Sequence, residues 1–137
     1  MQYKIPFANP KKQYQDHRQE FIKAFDETLS RGAIVNREEL WKFEEDFAKF
    51  VGVKYAVGVN SGTSALRATI HALKILNKWK DGDEIIMPAT TFVATYNVIL
   101  QNNLKPVLVD VGEDFNIKPD HIDWHITTKT RAIMPVH

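Results

Sequence analysis

The 137-residue chain contains no cysteine. Disulfides, thiolate metal centres and a cysteine nucleophile are removed together, which is compatible with a reducing compartment. The chain also lacks an excess of either charge: 18 Lys and Arg against 17 Asp and Glu leave a formal net charge of +1. No global field therefore recruits nucleic acid or an anionic membrane surface. No apolar run approaches the length that spans a bilayer, and residues 1–7 lack the basic-then-apolar layout of a secretory leader, so a cytoplasmic location is expected. Missing too are G-x-G-x-x-G, G-x-x-x-x-G-K-[ST] and G-x-S-x-G, which leaves the dinucleotide, nucleoside-triphosphate and serine-hydrolase readings without a motif. His121 and His125 have the spacing of zinc-binding helices, but no third ligand accompanies them, so no metal site is expected.

What is present is 44% hydrophobic residues in a length that suits one domain. Two prolines in residues 5–10 predict an extended lead-in. Phe21, Ile22, Phe25 and Leu29 recur at helical spacing and predict an amphipathic helix over residues 13–29, ending at Arg31-Gly32 with one face buried. Asn36 and Glu39 form a capping-box pattern, and Leu40, Phe43, Phe47 and Phe50 mark a face of a second helix ended by Gly52, expected to pack into the core.

The rest alternates. Residues 55–59, 84–87, 106–109 and 131–136 read as apolar strands, and each gap holds a helical pattern: Leu66, Ile70 and Leu73, then Phe92, Tyr96, Ile99 and Leu100, then a short helix opened by Pro119. Successive βαβ units predict an α/β class with a parallel, helix-covered sheet, whose ligands gather beyond the carboxyl ends of the strands. That is where the turn after residue 59, the stretch from Pro88 to Phe92 and the loop from Asp110 fall.

The chain is organised around the first of these turns. Strand, then Asn60-Ser61-Gly62-Thr63-Ser64, then helix is the order that builds a phosphate site, with a close backbone approach at Gly62 and hydroxyls on Ser61, Thr63 and Ser64. Ser61 or Thr63 as a plain helix cap uses the same atoms, and the pattern alone leaves both readings open.

The order of segments resembles the amino-terminal part of the DegT/StrS-type aminotransferases. The blocks that carry the likeness are residues 5–7, 43–50, 52–59, 61–66, 82–84, Pro88 with 91–95, 106–110 and 135–137. The resemblance implies the first part of the large domain of a fold-type I pyridoxal-phosphate enzyme, with residues 1–36 an extended and helical lead-in and the smaller carboxyl-terminal domain absent. It implies pyridoxal 5'-phosphate as cofactor, its phosphate held by Ser61, Gly62 and Thr63 and its ring stacked on Phe92. It further implies an amino-acid donor, a nucleotide-linked keto sugar as acceptor, and a homodimer. The family's lysine nucleophile and its pyridine-nitrogen carboxylate are expected beyond residue 137, so no catalytic residue is assigned and the chain alone is expected to be inactive. The alternative is a truncated paralogue that serves as a phosphate-binding or interaction module.

Overall fold

Asn9 and Pro10 set where the first helix begins. The Asn9 side chain accepts a hydrogen bond from the Lys12 amide at 3.0 Å, and Pro10 opens α1 (Pro10–Ser30), where its missing N–H leaves nothing unpaired. The computed structural model describes residues 5–32, 35 and 38–136. Non-helical angles at His17 (φ −114, ψ 15) kink α1, and Gly32 at φ +65 terminates it. The acidic pair Glu38 and Glu39 opens α2 (Glu38–Val51), which ends at Gly52 (φ +78), whose N–H reaches the Ala48 carbonyl at 2.9 Å. Asn36, expected as the cap of α2, lies outside the described residues, as does His137.

The chain divides into two compact units, Met1–Gly58 and Val59–His137. In the first, the helices form but the expected burial does not. Phe21, Ile22, Phe25 and Leu29 of α1 are all exposed, and so are Phe43, Phe47 and Phe50 of α2. The covered stripe of α2 is instead Leu40, Glu44 and Ala48, because the connecting stretch passes over it at Gly58. The Gly58 N–H donates to Glu44 Oε1 at 2.6 Å, and a Cβ there would sit 2.5 Å from Leu40 Cδ1, so a larger residue would require the Leu40 side chain to shift. Helical periodicity reports which face is apolar; burial needs a second layer over it, and no described residue supplies one to the aromatic stripe.

Residues 55–59, expected as the first strand, form no ladder with any described strand, and Tyr55, Val57 and Val59 are exposed. Composition sets a preference for extended backbone, but a strand exists only beside a partner.

The second unit holds the α/β architecture. Its elements are α3 (Gly62–Leu76), β1 (Glu84–Pro88), α4 (Val93–Gln101), β2 (Lys105–Val109), α5 (Pro119–His125) and β3 (Thr130–Ile133). The sheet has three strands rather than four, all parallel, in the order β2-β1-β3. Every residue of β1 is buried, as a central parallel strand requires. Ile85 and Met87 face Ile70 of α3 and Val98 and Ile99 of α4, whereas Ile86 faces Val109, Ile117 and the half-buried Ile122 of α5. β3 is shorter than the predicted 131–136: the Met134 N–H still reaches the Ile86 carbonyl at 2.8 Å, and Pro135 has no N–H to continue the ladder.

Charged side chains tie the amino end of β1 to both neighbours. Arg131 Nε and Nη2 donate to Asp83 at 2.8 and 3.2 Å, Lys105 Nζ donates to Glu84 Oε1 at 2.9 Å, and the Thr127 hydroxyl donates to Glu84 Oε2 at 2.6 Å. Among the described residues no helix is long and apolar enough to cross a membrane.

Candidate functional site

Topology brings the two predicted site stretches to one edge of the sheet. α3 runs into the amino end of β1 and α4 starts just beyond its carboxyl end, so both helices lie antiparallel to the strands and open at the carboxyl edge. Neither helix carries an Asp or Glu, which leaves the positive end of each dipole uncancelled by its own side chains.

Ser61 is the cap of α3, with extended angles (φ −165, ψ 159) and an Oγ that accepts from the Ser64 N–H at 3.2 Å. The Ala65 N–H takes the Ser61 carbonyl at 3.0 Å. Capping therefore consumes the amide of Ser64, and the amides of Gly62 and Thr63 find no acceptor among the described residues. The cap and the anion cradle use different N–H groups of one turn. A Cβ placed on Gly62 would meet nothing within 4 Å, so the protein's own packing does not demand glycine here and the space beside the turn is open. A phosphate fits that space and those donors.

Phe92 occupies the cap position of α4 (φ −69, ψ 139), where its side chain makes no capping bond and is 75% exposed. The turn beneath it is fixed: its carbonyl accepts from the Thr95 N–H at 3.0 Å, and the Thr91 hydroxyl donates to Thr95 Oγ1 at 3.1 Å. Burial of Ala94, Thr95, Val98 and Ile99 anchors α4 and leaves the aromatic ring at the surface.

A cavity of about 550 Å³ runs along α3 past Asn60, Ser64, Arg67 and His71 to Gln101 and Asn102; Gly62, Thr63 and Phe92 do not line it. Sequence reading passed over Arg67 and His71, although their i, i+4 spacing on α3 was available as a signal. His121 stacks on Trp124 with ring centroids 4.5 Å apart, and His125 Nδ1 lies 2.7 Å from the His121 carbonyl oxygen.

The model of the DegT/DnrJ/EryC1/StrS aminotransferase family matches residues 15–137. The chain belongs to this family. It is 35% identical over 135 residues to the dTDP-3-amino-3,4,6-trideoxy-alpha-D-glucose transaminase of Streptomyces venezuelae, covering 98% of this chain and 35% of that protein. In structure it resembles S. venezuelae DesV, solved in complex with a ketimine intermediate, at a TM-score of 0.86 and 36% identity over 97% of this chain and 35% of that one. NtdA of Bacillus subtilis, solved with bound cofactor PMP, matches at a TM-score of 0.85 and 32% identity over 100% of this chain and 31% of that one. The chain spans about a third of the length of the curated relatives it matches.

Proposed function

We propose that these residues form the amino-terminal part of the cofactor domain of a pyridoxal-phosphate aminotransferase, which moves an amino group from an amino-acid donor to a nucleotide-linked keto sugar. The observation that carries the reading is the first turn of α3, where two amides find no acceptor among the described residues and the space around Gly62 is open. In it, the Gly62 and Thr63 amides and the Ser61 and Thr63 hydroxyls bind the cofactor phosphate, and the dipole of α3 adds to their attraction. Phe92 offers its exposed face to the pyridine ring and orients it. The cofactor, when bound, supplies the electron sink for amino transfer. None of the thirteen lysines has an assigned nucleophilic role, so these residues bind and orient without turning over substrate. A homodimer and a cytoplasmic location belong to the same reading, supported by family membership and by the exposed aromatic residues of α1 and α2.

Gly62→Ala tests the cradle. The residue is helical with room for a methyl group, so the variant should fold at least as stably as the parent. Titration with pyridoxal phosphate, followed by absorbance, should show affinity weakened about tenfold or more, because the methyl adds bulk at a residue whose amide, in this reading, meets the phosphate. Unchanged affinity would remove the cradle.

A further inference from the structure

Lys74 and Asn102 have no part in the reading above, yet both are committed to joining the two helices on which it depends. Asn102 is 6% exposed and closes α4: its N–H bonds the Ile99 carbonyl at 3.1 Å and its side-chain amide donates to the Val98 carbonyl at 2.8 Å. The same amide reaches across to the Arg67 carbonyl of α3 at 3.4 Å, while the Asn102 carbonyl accepts from Lys74 Nζ at 2.6 Å. Lys74 has a side chain only 17% exposed, and Asp81, at 2.5 Å, holds its ammonium in place. A cation at the carbonyl end of α4 is also favoured by that helix's dipole.

The two attachments to α3 lie seven residues apart, two turns or about 10 Å of helix, and both converge on one residue of α4. A single link would fix a distance and let α3 pivot about it. Two links on one side fix the angle as well, and the buried Ile70 between them packs with Val98 and Ile99. Since α3 is a straight lever from Lys74 to its first turn, its angle against α4 decides where the Gly62 and Thr63 amides stand relative to Phe92.

We propose that Lys74 and Asn102 are positioning residues for the cofactor cradle, acting from the opposite ends of the helices whose first turns form it. The proposal rests on the reading of Ser61, Gly62, Thr63 and Phe92 as that cradle. Its selectivity comes from geometry: a tilt at the clamp is carried undiminished to the first turn, where small misplacements are costly.

The test uses the full chain and two readouts, pyridoxal-phosphate affinity by titration and amide hydrogen exchange at residues 62–64 without ligand. Lys74→Met keeps the apolar stem and removes the donor; Asp81→Asn, at an exposed position, is a milder change that frees the ammonium. Each should weaken affinity, Lys74→Met by about tenfold, and should speed exchange at residues 62–64. Lys74→Arg should restore both. Ile117→Val, on the other face of the sheet, serves as a control that lowers the melting temperature without touching the clamp. Wild-type affinity and exchange in Lys74→Met, or equal losses in Ile117→Val, would overturn the proposal. Gly62→Ala reports separately on the cradle: if that variant binds normally the cofactor assignment fails, and exchange at residues 62–64 alone then judges the clamp.

Discussion

Asp83 and Glu84 sit side by side at the amino end of β1, each bonded to different neighbours. Hydrogen bonds from Arg131 are the main cause holding the Asp83 carboxyl below its ordinary value, with the Lys80 amide adding to them. For Glu84 the Thr127 hydroxyl leads and Lys105 follows. A carboxyl whose folded value is depressed contributes stability above its unfolded value and loses that contribution as pH falls toward the folded one. Stability should therefore be level near neutrality and decline as pH drops below the ordinary carboxylate range. In an Arg131→Gln, Lys105→Gln double variant the acid decline in urea-unfolding midpoint should be shallower; an identical acid limb would refute the assignment. The same pair shows what a residue can and cannot announce. Asp83 reads in the sequence as one more turn residue after Gly82, and its partner lies 48 positions away, joined only when β3 docks beside β1.

Among elements, α3 matches its sequence most closely, because every signal for it is local: Ser61 before it, helical spacing of Leu66 and Ile70 within it, Asn77 after it. Its first turn serves stability and binding with separate N–H groups, while the Ser61 hydroxyl takes part in both. Ser61→Ala should lower stability by about 1 kcal/mol through loss of the cap, whereas Gly62→Ala should not, yet both should weaken pyridoxal-phosphate binding. Thermal melts and cofactor titrations of the two variants check this, and parallel stability losses would mean that the turn is a cap alone. α2 is the contrasting element. Its boundaries follow from local residues, but its aromatic stripe stays exposed, with Phe43 and Phe47 stacked on each other at 5.6 Å. Periodicity identified the apolar face and had no means of stating what would cover it.

Across the whole molecule, exposed Phe21, Phe25, Phe43, Phe47 and Phe50, with outer edges of β2 and β3 that pair with no strand among the described residues, expect a partner surface. Light scattering at micromolar concentration should show a dimer or larger species, and a stable monomer would count against the homodimer. Borohydride reduction of the same sample with pyridoxal phosphate should give no single stoichiometric lysine adduct and no amino transfer; one such adduct with turnover would assign the chemistry to a lysine already present. Sequence by itself determined the α/β class, the order of helices, strands β1, β2 and β3, the turn at Ser61, Gly62 and Thr63, and the family. These rest on local propensity, period and motif, which neighbouring residues carry within a few turns of chain. Tertiary structure alone decided that residues 55–59 have no described ladder partner and that Leu40, Glu44 and Ala48 form the covered stripe of α2. It also decided that Asn102 and Lys74 clamp α3 to α4. Each of these depends on which distant segment arrives alongside, and a linear pattern encodes a residue's preference for company without naming the company.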